Sequence, residues 1–173
     1  KREINSYEKI NDLFQSLENY AIIFSALSDK ESSYWSNSPN IKKYIYELKT
    51  LSNEVFKILA LAVCSKMEGN IVQCLKMCSV VAMRNFITGR NPNEFEKLYS
   101  KIALKIESEE ISTISGIKEE LYESYVKDTE FKDAFKNKTL KYTSNKKKIK
   151  HILLMLEKDV SSTEHIDDNS VSI

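Results

Sequence analysis

Glycine and proline are scarce in this chain, with 3 and 2 among 173 residues. A sheet-rich fold of this length needs more turn residues than that, so the scarcity argues for helices. The glycines, Gly69, Gly89 and Gly116, are widely separated, which excludes a phosphate-cradling glycine loop. Histidine occurs only as His151 and His165, too few to argue a nucleophilic triad without geometry. No paired-carboxylate motif stands out from the glutamates. The chain carries no enzyme signature, and no cofactor is expected in it. The cysteines are Cys64, Cys74 and Cys78, an odd number in apolar helical segments. A disulfide framework is therefore not expected, and a reducing cytoplasm fits better. The longest apolar stretch, Ile58 to Cys64, is far short of the ~20 residues that span a bilayer. No membrane partner is expected. The opening Lys1-Arg-Glu-Ile-Asn5 has no apolar run behind it, and no signal peptide is expected. Arginine is also rare, confined to Arg2, Arg84 and Arg90, with lysine supplying the remaining positive charge. The net charge is only +1, so any attraction to nucleic acid must come from a local patch.

What is present is enough for one domain with a sizeable core: 42% of the residues are hydrophobic, and the length suits a single core. Apolar residues recur at helical spacing from Tyr7 to Leu27, with Ile10, Leu13, Phe14, Leu17, Tyr20, Ile23, Phe24 and Leu27 forming one stripe. A polar loop with Trp35, the single tryptophan, follows. Ser38-Pro39 reads as a helix N-cap and first helical position, opening a helix to Leu51. Asn53 is read as the cap of a third helix, Glu54 to Lys66. That helix is apolar on most sides, and it is expected to be the central, most buried one. Gly69-Asn70 separates it from a fourth helix, Ile71 to Thr88, which Gly89 stops. Asn91-Pro92-Asn93 starts a fifth, Glu94 to Glu107. Shorter helices are expected over Ser115 to Lys127 and Glu130 to Asn137, the second capped by Thr129. A last long helix, Asn145 to Val160, is capped by Ser144. A short strand is conceivable only at Val171 to Ile173. The expectation is an all-α fold: a single irregular domain of seven or eight helices over residues 1–160, with 161–173 as a linker.

Candidate chemistry is thin. Cys64, Cys74 and Cys78 offer three thiols to a soft metal. Structural zinc sites use short Cys-x2–4-Cys loops with further ligands, so core packing is the preferred reading and no metal is expected. His151 lies on the last helix without an evident acid or nucleophile beside it, and a structural role is preferred. His165, in Glu164-His165-Ile166, falls in the linker. Arg84 sits among Val80, Val81, Met83 and Phe86. Its planar fork suits a phosphate, or a partly buried ion pair with a glutamate of a neighbouring helix. Arg90 reads as a basic group favoured near a helix C-terminus. The one charge-asymmetric segment runs from Lys136 to Lys150. It holds Lys136, Lys138, Lys141, Lys146, Lys147, Lys148 and Lys150, no acidic residue, and an interleaved Tyr142. Lysines that neutralise phosphates give salt-dependent, sequence-independent binding. The same pattern also suits a solvated helix face, and the acids Glu107, Glu109, Glu110, Glu119, Glu120 and Glu123 are expected to neutralise part of it.

Several segments carry a resemblance. Ile58-Leu-Ala-Leu-Ala62 is an apolar Leu/Ala-rich helix. Arg84, Phe86 and Gly89 make an arginine-x-aromatic-x-x-Gly pattern, followed by Asn91-Pro92-Asn93. Phe131, Ala134 and Phe135 make an x-Phe-x-x-Ala-Phe helix. His151 to Glu157, with Leu153 and Glu157, is similar to a terminal Tyr-x-Leu-x-x-x-Glu element, with histidine in the tyrosine position. In this order, over Val55 to Glu157, they resemble the helical middle region of GmrSD-like, modification-dependent restriction proteins. In that family the region joins an N-terminal ParB-like nucleotide-handling domain to a C-terminal HNH nuclease. The nucleotide domain's Asp-Gly-Gln-Gln-Arg-type signature and the nuclease's Glu-His-Ile-Leu-Pro are not in this chain. Val171-Ser172-Ile173 resembles the strand that leads into that Glu-His. The resemblance thus implies a non-catalytic spacer, with the linker leading toward a C-terminal domain outside this chain. Its implied partners are the flanking nucleotide-handling and nuclease domains, with duplex DNA as a candidate partner. Lys138, Lys141, Lys146, Lys147, Lys148 and Lys150 are the candidate DNA-backbone contacts. Arg84, Phe86, Gly89, Asn91, Pro92, Phe131, Phe135, Leu153 and Glu157 are structural positions of the pattern. The alternative is a free-standing helical protein-interaction module, with Trp35, Tyr44 and Tyr46 as candidate exposed anchors.

Overall fold

The computed structural model describes residues 7–160. The expected linker, His165 and the candidate strand at Val171 to Ile173 lie outside the described residues. Eight α-helices form one all-α arrangement: α1 (Tyr7–Ser28), α2 (Pro39–Thr50), α3 (Phe56–Lys66), α4 (Ile71–Thr88), α5 (Pro92–Glu107), α6 (Ile114–Tyr122), α7 (Asp128–Asn137) and α8 (Tyr142–Val160). No strand occurs among the described residues.

Local chemistry sets most of the boundaries. Pro39 opens α2 and Pro92 opens α5, where a missing N–H costs nothing. The Asn91 side chain accepts from the Asn93 N–H at 3.0 Å, and Thr113 Oγ1 accepts from the Gly116 N–H at 3.2 Å to cap α6. Gly89 ends α4 at φ 73, the left-handed conformation that glycine adopts without a Cβ penalty. The same device ends α2 with a non-glycine residue. Ser52 has φ 60, and its N–H and that of Asn53 return to the carbonyls of Lys49 and Leu48 at 3.0 and 2.9 Å. That is a Schellman termination with serine in the glycine position. Glu109, at φ 63 just past α5, is the third such residue.

Several expected starts move. Val55, not Asn53, is the N-cap of α3, and it supplies no side-chain acceptor. The α7 helix starts at Asp128 behind Lys127, so Thr129 lies inside the first turn. The α8 helix starts at Tyr142 and kinks at Asn145, where φ is −126 and ψ is 17. The Ser144 hydroxyl there donates to the Lys141 carbonyl rather than capping a fresh helix. The α6 helix ends at Tyr122, short of Lys127.

Two helices share the centre. The α3 helix packs most extensively on α5 and also meets α4 and α1, while α4 meets α2, α3, α6 and α7. Phe56, Leu59, Ala60 and Val63 of α3 and Cys74, Leu75 and Cys78 of α4 are fully enclosed. Each such side chain contributes about 1.5–3 kcal/mol on burial when it is the size of a leucine or phenylalanine. Glu68–Thr88 is long and apolar enough to cross a membrane by length and composition, with half of it buried inside the fold. A buried core helix meets the same test.

The α1 stripe splits. Only its C-terminal end reaches the core, through Ile23, Ala26 and Leu27. Tyr7 and Phe14 are 87% and 66% exposed, and Ile10, Leu13, Leu17 and Phe24 also face outward. Trp35 is buried, its indole N–H donating to the Ala26 carbonyl at 2.8 Å. It is a core residue pinning the α1–α2 loop, which removes it as an exposed anchor. Tyr44 and Tyr46 are half-buried.

Candidate nucleic-acid interface

The α7 helix packs on α4, where Arg84 and Arg90 act as clasps, and α8, which packs on α2, reaches α4 through Lys148 over the Phe86 ring. Arg84 projects from α4, donating to the Val126 carbonyl at 2.8 Å and to Asp128 at 2.6 Å. Its guanidinium lies 4.4 Å from the Tyr125 ring centroid and 4.9 Å from that of Phe131, so planar stacking adds to the hydrogen bonds. The ion pair expected for Arg84 forms, with an aspartate rather than a glutamate. Both terminal nitrogens are spent on protein acceptors, which leaves no open fork for a phosphate. Arg90 donates to the Ser124 carbonyl and to both carboxylate oxygens of Glu130, each at 3.1 Å. It thus joins α7 instead of serving only the end of α4. Together the arginines hold the α6–α7 connection and the first turn of α7 against α4.

The other pattern residues occupy different surroundings. Phe86 is half-buried on α4, with the ammonium groups of Lys138 and Lys148 at 5.4 and 4.8 Å from its ring centroid. Gly89 is exposed at the turn, Asn91 caps α5, and Pro92 is its first residue. Phe131 stacks on Arg84, and Phe135, 5.8 Å from Phe131 between centroids, is about one-third exposed, at 37%. Leu153 and Glu157 are exposed on α8, whereas Leu154 and His151 are buried. The His151 ring meets the Tyr46 ring edge-on at 6.3 Å.

Of the six candidate lysines, Lys138 and Lys148 reach this edge. Lys141, Lys146 and Lys147 are exposed, and Lys138, Lys148 and Lys150 are partly covered. Lys146 sits 5.7 Å from the Tyr142 ring centroid. Among the described residues, none of the six is in an ion pair with a carboxylate. Of the acids expected to neutralise them, none is in an ion pair with these lysines among the described residues, and Glu120 alone is in an ion pair, with other lysines. Glu120 pairs with Lys101 at 3.1 Å and Lys105 at 2.5 Å, and Glu110, Glu119 and Glu123 line the same hollow between α5 and α6. The hydrogen bonds from Lys105 and Lys101 hold the Glu120 carboxyl below the usual carboxylate range, and the Lys105 ammonium is raised in turn.

Cys74 and Cys78 are buried, and Cys64 is partly buried. Burial, then the Glu68 charge, pushes the Cys64 thiol up to about 12. Cys74 is raised well above its usual range by its contact with Cys78 and by burial. A soft metal needs thiolates, and among the described residues no three His, Cys, Asp or Glu side chains are grouped to hold a metal ion.

Two polar core positions are not signalled by the pattern of the sequence. Glu47 is buried on α2 and accepts from the Ser79 hydroxyl of α4 at 2.6 Å. Asn85 is only 8% exposed, and its side-chain Nδ2 has no hydrogen-bond partner. Both interrupt otherwise apolar faces, which is the one signal that marks them. Comparison with protein-family models, with curated proteins and with solved structures found no match.

Proposed function

We propose that this chain is a non-catalytic helical spacer and coupling domain of a DNA restriction system similar to the GmrSD-like proteins, with its α7–α8 edge touching the duplex backbone. The observation that carries the reading is a convergence. Sequence segments that resemble that family are far apart in the chain, yet Arg84, Phe86, Phe131, Lys138 and Lys148 meet at one edge. An arginine-clasped α7 supports the coupling role, because it ties α7 to the central α4. Lysines without carboxylate partners support the DNA contact, since each phosphate neutralised releases counterions. The nucleotide-handling and nuclease chemistry belongs to flanking domains.

Reading the source gene in both directions tests the assignment. An upstream Asp-Gly-Gln-Gln-Arg-type segment and a downstream Glu-His-Ile-Leu-Pro are expected. A start codon just before Lys1 with a stop codon just after Ile173 overturns it. One observation favours the second reading, a protein-interaction module: the outward apolar stripe of α1, Tyr7, Ile10, Leu13, Phe14 and Leu17. Contiguous exposed apolar surface of this kind marks interaction sites. The anchors of that reading are therefore on α1, not at Trp35.

A further inference from the structure

The α1 helix is anchored at its C-terminal end. From Tyr20 onward it packs on α3, with the Tyr20 and Ser65 hydroxyls 3.0 Å apart and Ile23, Ala26 and Leu27 buried. Tyr7 and every residue from Lys9 to Asn19 are exposed. On the side turned away from the core, apolar residues fall at Tyr7, Ile10, Phe14, Leu17, Ala21 and Phe24, alternating by three and four. That is the 3.5-residue repeat of a coiled-coil seam, narrower than the stripe of a helix buried in a globular core. A helical stretch this short is marginal in water without packing on such a face.

We propose that α1 pairs with α1 of a second copy of this chain, in antiparallel orientation, to form a two-fold symmetric dimer. The surface is the one that favours the interaction-module reading, and the pairing gives it a partner. The spacer reading does not bear on it.

The seam is its own complement. Turned end for end about a point between Gln15 and Ser16, its six positions superpose on themselves. Tyr7 then meets the partner's Phe24, Ile10 meets the partner's Ala21 and Phe14 meets the partner's Leu17. A parallel pair would instead set each residue against its own copy, overfilling the phenylalanine layers and underfilling the alanine layer. The antiparallel pair also opposes the two helix dipoles. A face that is self-complementary in this way closes as a dimer rather than a chain of copies.

The area is sufficient. The five large seam side chains are between 40% and 87% exposed. With Leu13 beside them they present about 600 Å², taking roughly 200 Å² for a whole aromatic side chain. Two copies then bury about 1,200 Å², the lower bound of stable specific interfaces, before flanking polar surface is counted. The charge fits as well. The α1 helix carries Glu8, Asp12 and Glu18 against Lys9 alone, which disfavours an anionic lipid surface or nucleic acid as the partner. In the antiparallel register Asp12 and Glu18 lie level with the partner's Asn19 and the partner's Leu13, so no like charges oppose.

The test is the mass of the full chain by sedimentation velocity across the micromolar range. A concentration-dependent dimer is expected, with a melting temperature that rises with protein concentration. Phe14→Glu and Leu17→Glu are each expected to weaken the dimer about tenfold or more, because each puts a charge into a closed apolar layer. Both positions are exposed in the single chain, so urea midpoints at high dilution are expected to match wild type. Orientation is read by mixing and oxidising Phe14→Cys and Leu17→Cys chains, each in a Cys64→Ser background. Cross-coupling between the two variants is expected over self-coupling of either. A monomer at every concentration overturns the proposal and leaves the interaction-module reading with a different partner. Self-coupling of each variant, a ladder of larger oligomers, or a dimer indifferent to both glutamate substitutions overturns it too.

Discussion

Two corners of this small domain hold charge in opposite ways. Between α5 and α6, Glu120 reaches Lys101 and Lys105, and the acids of α6 gather around that network. Along α7 and α8, Lys138, Lys146 and Lys148 lie beside aromatic rings, and none of the six candidate lysines is in an ion pair among the described residues. Charge that is paired within the fold is satisfied and has little to offer a partner. Charge left without a counter-ion repels itself and gains by meeting an anion. The same density of charged residues thus builds a structural joint in one place and a binding surface in the other. Only at the arginines does the basic edge adopt the paired mode, and that is where it is fastened to the core.

Breaking that fastening is expected to have the largest effect. Arg84→Ala removes two hydrogen bonds and a stacked guanidinium, leaving the Val126 carbonyl without its donor. It is expected to cost about 2–4 kcal/mol in urea denaturation. Arg84→Lys should recover only part of this, because an ammonium cannot fork or stack as a guanidinium does. Equal stability of the wild type and Arg84→Ala would show that the clasp contributes nothing to the fold.

The next effect concerns the thiols, Cys64 partly buried and Cys74 and Cys78 buried. The Cys64 thiol rises from 9.0 to about 12 in the folded protein. A group with a raised folded pKa holds its proton longer in the native state than in the unfolded chain, so its contribution is intact below about pH 9 and declines as pH rises toward about 12. Denaturation midpoints are expected to fall through that window. Cys64→Ser should flatten part of the decline. Iodoacetamide should label the buried Cys74 and Cys78 only after unfolding.

In the acidic corner, Glu109→Gly tests whether the left-handed residue after α5 is strained. It removes a Cβ penalty of about 1–2 kcal/mol, offset by the greater freedom of glycine in the unfolded chain. A net gain of about 0.5–1 kcal/mol is expected as a rise in melting temperature. Ser52→Gly should behave alike. Glu120→Gln has an expected sign as well: less stable than wild type at neutral pH. The depressed carboxyl contributes above its unfolded pKa, and that contribution is lost as pH falls through the folded value. The two proteins should therefore converge in acid.

The smallest effect on stability is expected where charge is unpaired. Lys141→Gln, Lys146→Gln and Lys147→Gln together should shift stability by no more than about 0.5 kcal/mol. They should reduce the salt dependence of duplex binding by a slope of roughly 0.9 for each phosphate that is no longer neutralised. An unchanged slope would remove DNA from the proposed function.

The helices were legible from the residues because their signals are local. Pro39, Gly89 and Asn91-Pro92 set boundaries through their own backbone geometry and hydrogen bonds, which no distant residue alters. Starts assigned to Asn53, Thr129 and Ser144 moved because a capping side chain competes with alternatives from tertiary packing, and in each case the helix entered from a different residue. The candidate site was legible only in composition. The lysine run was visible, but that its charges remain without counter-ions depends on where α6 sends its glutamates.

By itself the sequence determined an all-α chain with an apolar third helix and a fourth ended by glycine, since periodicity and turn chemistry act over a few residues. Tertiary structure alone decided which apolar stripe is buried, and it left half of α1 uncovered although its spacing matches that of the core helices. It also decided that Trp35 is internal, that two arginines serve as clasps, and that Asn85 is buried. Burial and pairing are relations between segments far apart in the chain, and those relations exist only once the helices have packed.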